Sequence, residues 1–167
     1  MRIEIPEGFG GEACAAPTSA QAPHDAAMVD LLANARTIAV VGASPSDHRT
    51  SYSIAVWLMK HTPYEVYLVN PVADGQEIRG HGFFASLADL PVVPDIVDVF
   101  RRSEHMPPMA DEAIEVGAHA LWMQLGIVHE DAATRAKDAG LTVVQNRCIK
   151  IEYERLRAQI EQATATA

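Results

Sequence analysis

The chain's 167 residues give room for one domain around a single sizeable core. Apolar residues make up 49% and charged residues 21%, the balance of a soluble globular protein. The net charge of -9 argues against general binding to nucleic acid or to an anionic membrane, both of which want a basic face.

No apolar run approaches the roughly 18 residues of a membrane span. The opening residues lack the basic start and apolar core of a signal peptide. Cys14 and Cys148 lie far apart, so neither a disulfide framework nor zinc-ligand spacing is present. A reducing cytoplasm is the expected compartment.

Residues 1–23 are rich in Ala, Gly and Pro and read as a flexible tail, with Ile3, Ile5 and Phe9 available to dock. One domain is expected over 24–162. Its first helix is predicted from Asp25 to Ala35, with Met28, Leu31 and Leu32 facing inward. Five short apolar runs follow: Ile38–Val41, Val66–Val69, Ile96–Phe100, Ala120–Leu125 and Leu141–Val144. They are rich in β-branched or aromatic residues, as strands buried on both faces are. Helical patterns lie between most of them. Ile54, Trp57, Leu58 and His61 fall at i, i+3, i+4 and i+7. Pro107 and Pro108 open a helix that runs to about Val116. Another spans Glu130 to Ala139, acids first and bases last, the order that suits the helix dipole. A final helix over about Ile149–Gln162 puts Ile149, Tyr153, Leu156 and Ile160 on one side. Between Asn70 and Leu90 the pattern fails, and a glycine-rich loop at the sheet rim is predicted, with a short helix near Ser86–Leu90.

Alternating strands and helices imply βαβ units, a parallel sheet and right-handed crossovers. In such sheets ligands bind beyond the carboxyl ends of the strands. Gly42, Ala43 and Ser44 follow the first run, and small residues there let a ligand approach the main chain. Their amides, beside a helix start, are expected to face outward and to suit phosphate. A plain strand-to-helix turn fits the same residues, since neither GxGxxG nor GxxxxGK[ST] is present. Arg49 lies further along this loop. Asn70 and Pro71 follow the second run, Arg101 and Arg102 the third, Gln124 and Gly126 lie in and after the fourth, and Asn146, Arg147 and Cys148 follow the fifth. Four of the 13 Lys and Arg residues thus fall in three strand-end loops of an acidic chain. Converging guanidinium groups point to an anion bearing several phosphates. Pairing of Arg101 and Arg102 with acids such as Glu104 is the structural alternative.

The stretches IAVVGASP, RTSYSIAVWL, VNP, GQEIRGHGFFASLADLP, DIVDVFRRSEHMP, ALWMQLGIVHEDA and NRCIKIE carry a resemblance. From about Thr37 to Leu156 the chain resembles the stand-alone coenzyme A-binding protein family. That family is similar to the N-terminal CoA-binding domain of the succinyl-CoA synthetase α subunit. The resemblance implies an α/β, Rossmann-like open parallel five-stranded sheet with helices on both faces and strand order 3-2-1-4-5. It implies coenzyme A as ligand. Gly42, Ala43 and Ser44 would approach its phosphates. Arg49 and the Phe100-Arg101-Arg102 segment would contact phosphate or adenosine, and Asn70 and Pro71 would line the nucleotide pocket. Gln124 and Gly126 would lie near the pantetheine or pyrophosphate. The synthetase subunit's glycine-rich phosphate turn and its phosphohistidine domain are lacking, so ligase activity is not implied.

The seven histidines are scattered, and no metal pattern, GxSxG elbow or ordered Ser/His/Asp set is visible. His48, in the candidate phosphate loop, reads as a hydrogen-bonding or solvated residue. Asp98 reads as structural, facing a helix or a loop amide. Cys148 follows a cation, which favours a thiolate, and a mixed disulfide with the CoA thiol is one hypothesis; a small inert cysteine is the other. The expected function is non-enzymatic binding of CoA or an acyl-CoA as a carrier, sensor or regulatory module. The alternatives are an NAD(P)-binding oxidoreductase, and an interaction protein that dimerises or docks through its last helix with the pocket vestigial.

Overall fold

Seven strands are present: β1 (Thr37–Val41), β2 (Glu65–Val69), β3 (Glu77–Ile78), β4 (His81–Phe84), β5 (Ile96–Val99), β6 (Ala120–Met123) and β7 (Thr142–Val144). The helices are α1 (Asp25–Asn34), α2 (Thr50–His61), α3 (Met106–Glu115), α4 (Glu130–Asp138) and α5 (Ile149–Ala165). The structure is a computed structural model that describes residues 25–167, so the expectations for the tail fall outside the described residues.

The sheet order is β3-β4-β2-β1-β5-β6-β7. All neighbours pair in parallel except β3 and β4. The expected count of five strands is corrected to seven. Among the parallel strands, numbered along the chain, the order is 3-2-1-4-5-6. The third position is filled by β4, and the run at Ile96 pairs with β1 on the other side.

The hairpin of β3 and β4 escaped the sequence pattern for a physical reason. Arg79 and Gly80, its two turn residues, both have positive φ, 52° and 83°. That geometry is the hairpin turn usually announced by Asn-Gly or Asp-Gly. Here an arginine takes the first position, and β4 reads His-Gly-Phe-Phe, with no long apolar run.

Burial on both faces explains the composition of the central strands. Ile38, Val40, Ile96, Ala120, Trp122 and Val144 face the core covered by α1, α2 and α5. Ala39, Val41, Val97, Val99, Leu121, Met123 and Val143 face the core covered by α3 and α4. Each buried Val or Ile contributes about 1.5–3 kcal/mol relative to exposure. The buried sides of α3 and α4 are mostly alanine, which lets these helices lie close to the sheet. The last helix carries Ile149, Tyr153, Leu156 and Ile160 inward as expected, but runs to Ala165. No helix among the described residues is long and apolar enough to cross a membrane.

Candidate functional site

From β1 the chain moves outward through β2 to β4, then returns to β5 on the other flank of β1. The carboxyl ends of β1 and β5 therefore border the switch point where open α/β sheets take ligands.

Gly42 forms the closest part of that border. Its φ is 80°, and a Cβ there would lie 3.2 Å from the Phe100 carbonyl oxygen and 3.4 Å from Arg101 Cγ. Only glycine combines this φ with this approach at little cost. Gly42 N donates to the Val69 carbonyl at 2.8 Å, and Phe100 N donates to the Val41 carbonyl at 2.8 Å.

Asn70 braces the same loop from β2. Its Nδ2 donates to the Ala43 carbonyl at 2.8 Å, while its Oδ1 accepts from Val72 N at 3.2 Å. Ser44 N donates to Ser51 Oγ at 3.1 Å. The expectation of outward-facing amides at Gly42 and Ser44 is thus corrected, because both donate to the protein. Pro71 is exposed and opens a short 3-10 turn.

The available donors lie a few residues on. The residue before α2 is Arg49, extended at φ -93° and ψ 139°, and its side chain makes no cap hydrogen bond. A guanidinium has no acceptor to offer the first-turn amides. The first turn of α2 also holds no acid. The contrast is α4, where His129 accepts from Ala132 N and Glu130 and Asp131 meet the dipole. The α2 start is left suited to an external anion.

The cations do not converge equally. Arg101 is half-buried, has no carboxylate partner among the described residues, and keeps a buried, unpartnered Nε. Arg49 is exposed and likewise unpaired among them. Arg102 is exposed, with Glu104 only loosely apposed at 3.9 Å. Arg147 pairs with buried Glu152 at 3.1 Å. Arg155 also binds Glu152, at 2.6 Å, and reaches Asp25 at 2.7 Å. Arg147 is therefore part of a brace between the β7 loop and the first helix. Cys148 immediately precedes α5, half-buried against the core.

Gly126 and Asn146 are brought together, but by each other. Gly126 N donates to Asn146 Oδ1 at 2.7 Å, and Asn146 N donates to the Ile127 carbonyl at 3.1 Å. Val128 N donates to Ser103 Oγ at 3.2 Å, and His129 N donates to Gln145 Oε1 at 2.8 Å. Side chains of two neighbouring loops thus hold this segment. Ser51, Ser103 and Gln145 were missed in the sequence. Only Gln145 had a signal there, as a polar residue directly after an apolar strand.

Beneath these loops lies Asp98, fully buried in β5. Gln124 Nε2 donates to its Oδ1 at 2.6 Å, and its Oδ2 has no partner among the described residues. Burial pushes the Asp98 carboxyl up to about 7, against the opposing effect of the Gln124 hydrogen bond. Asp95 differs. Burial pushes it up, but donation from Arg36 N, Thr37 N and Thr37 Oγ1, with His119 nearby, carries it below its ordinary range. It lies at the opposite edge of the sheet, where it ties the starts of β1 and β5 together.

That opposite edge also holds a cleft of about 1080 Å³, bordered by Leu32, Arg36, Lys60, Tyr153, Arg157 and Ile160. The carboxyl ends of α1 and α2 form part of its wall. Their dipoles present negative ends, the wrong sign for phosphates. Among the described residues no cluster of three or more His, Cys, Asp or Glu could hold a metal ion.

Residues 36–154 match the family described as CoA binding domain. The uncharacterized protein YneT of Bacillus subtilis is 38% identical over 133 residues, covering 80% of this chain and 96% of that protein. A solved hypothetical protein from Pyrococcus horikoshii superposes with a TM-score of 0.76 at 33% identity, covering 81% of this chain and 93% of its own. A solved protein from Thermus thermophilus gives a TM-score of 0.76 at 34% identity, covering 80% and 99%.

Proposed function

This chain belongs to the CoA binding domain family, and from that premise we propose that it binds coenzyme A or an acyl-CoA at the carboxyl ends of its strands. The observation that carries the reading is the switch-point border. There Gly42 lies against Phe100 and Arg101, beside a helix start where the Arg49 carbonyl accepts from Tyr52 N and Ser53 N but no side chain caps the amides before them. Phosphates fit that place, because the positive end of the α2 dipole and two guanidinium groups without a close carboxylate among the described residues favour negative charge. Phe100, half-buried at the same border, offers an apolar surface.

The protein acts in this reading as a carrier, sensor or regulatory module and makes no bond. An NAD(P)-dependent oxidoreductase is disfavoured at Asn70. Dinucleotide enzymes place an acid near that strand end for the ribose hydroxyl. Here a neutral carboxamide is committed at both ends to the main chain.

Native mass spectrometry of the freshly purified protein, with and without added CoA or NAD, tests the proposal. A retained or added mass of CoA or an acyl-CoA is expected. Failure to take up CoA overturns the reading in favour of an interaction protein, and uptake of NAD alone overturns it in favour of the dehydrogenase.

A further inference from the structure

The cleft of about 1080 Å³ at the amino edge of the sheet plays no part in the CoA reading. Its wall combines three chemistries. Leu32, Tyr153 and Ile160 supply apolar surface from the core. Arg36 and Lys60 stand exposed on it with no carboxylate partner among the described residues, and Arg157 reaches Glu161 only at 3.9 Å. The end of α2 adds backbone acceptors. Thr62 N closes on the Leu58 carbonyl, while the Lys60 and His61 carbonyls take no hydrogen bond among the described residues. A phosphate would meet those carbonyls with the wrong sign. A peptide answers both demands, because its amides donate to carbonyls and its acidic side chains pair with cations.

We propose that this cleft is a peptide-docking site and that its occupant is residues 3–9 of the same chain. That segment lies outside the described residues, so the argument for it rests on its sequence and its reach. Residues 3–9 read Ile-Glu-Ile-Pro-Glu-Gly-Phe. An extended run sets Ile3 and Ile5 on one face, and Pro6 biases Ile5 toward that conformation. Glu4, Glu7 and Glu12 outnumber Arg2 over residues 1–24, which complements Arg36 and Lys60. Residues 13–24, by contrast, hold no Asp, Glu, Lys or Arg and no apolar side chain larger than Pro, the composition of a spacer.

Reach does not limit the docking. The described chain begins at Asp25, the first residue of α1, and the other end of α1 borders the cleft. The helix has 10 residues, a length of about 15 Å. Residues 10–24 span about 50 Å when fully extended. The docked segment would tie the carboxyl ends of α1, α2 and α5 together at the edge opposite the proposed ligand site, so it is independent of CoA.

Zero-length carbodiimide coupling of the full chain, followed by peptide mass spectrometry of the separated monomer and dimer, tests this. The chain has three lysines, Lys60, Lys137 and Lys150, which serve as one another's controls. An amide link from Glu4 or Glu7 to Lys60 is expected in the monomer, in preference to the other two. No link, or links spread evenly over the three, overturns the inference. A Lys60 link confined to the covalent dimer overturns it in favour of a second copy's segment. Replacing the apolar side chains together, Ile3→Ser, Ile5→Ser and Phe9→Ser, should lower the Lys60 link at least about fivefold by removing their burial. An unchanged yield overturns the inference. CoA affinity should be the same for this variant and the wild type, and a fall in the variant would place the segment at the carboxyl edge and overturn it.

Discussion

Gly42 and Phe100 meet through their main chains, with the Phe100 carbonyl oxygen 3.2 Å from where a Cβ of residue 42 would stand. This approach joins the loop after β1 to the loop after β5. Gly42→Ala forces a side chain into that gap at φ 80°. The expected cost is about 1–2 kcal/mol of stability from the backbone conformation alone, with added displacement of Arg101. Urea denaturation and CoA titration should register both losses. A variant with unchanged stability and affinity would show that the loops need not touch.

Asn70 serves the scaffold through both ends of its carboxamide. Asn70→Asp keeps the acceptor for Val72 N but sets an oxygen against the Ala43 carbonyl. We expect a loss of roughly 1–3 kcal/mol, as for a buried acceptor left unpaired. NAD affinity should not appear. Denaturation and NAD titration of this variant check the two halves separately.

Arg101 and Arg102 are neighbours in sequence but not in circumstance. Arg101→Ala should weaken CoA binding by about 1–3 kcal/mol, the loss of a charge-assisted contact. Arg102→Ala should cost less than about 1 kcal/mol, as exposed charges do. Isothermal titration of the two single variants decides between them. Equal effects would mean that both guanidinium groups engage the ligand alike.

Stability itself should depend on Asp98. Its folded carboxyl is raised to about 7 from an ordinary 3.8. Between those values the folded state holds a proton that the unfolded chain releases. This contribution is therefore full at low pH, falls as pH rises from about 4 to 7, and is gone above that. The span corresponds to on the order of 4 kcal/mol. Asp98→Asn should remove that slope and gain on the wild type at pH 8. Urea denaturation of both proteins at pH 5 and pH 8 measures it, and identical slopes would place the Asp98 titration elsewhere.

Much of the fold was legible because burial on both faces writes itself into composition. The runs at Ile38, Val66, Ile96, Ala120 and Leu141 all became strands. Strand β4 was not legible, because a strand that pairs with β2 only through Phe83 and Phe84 needs no long apolar run. The candidate site was legible as a set of strand-end residues, since position after a strand is a local property. Their separate tasks were not. That Arg147 answers Glu152, that Asn146 holds Gly126, and that Ser44 turns its amide to Ser51 depend on partners brought together only by folding.

By itself the sequence determined the alternation of strand and helix, the faces that α1 and α5 bury, and which residues crowd the carboxyl edge. These follow from periodicity and chain order, which are local. Only the tertiary structure decided which cations remain unpaired and which amides are already used. It also decided that Asp98 lies fully buried, held by Gln124. Charge pairing and desolvation are set by what surrounds a group in space, and for Asp98 those surroundings include Val40 and Trp122, each more than twenty residues away.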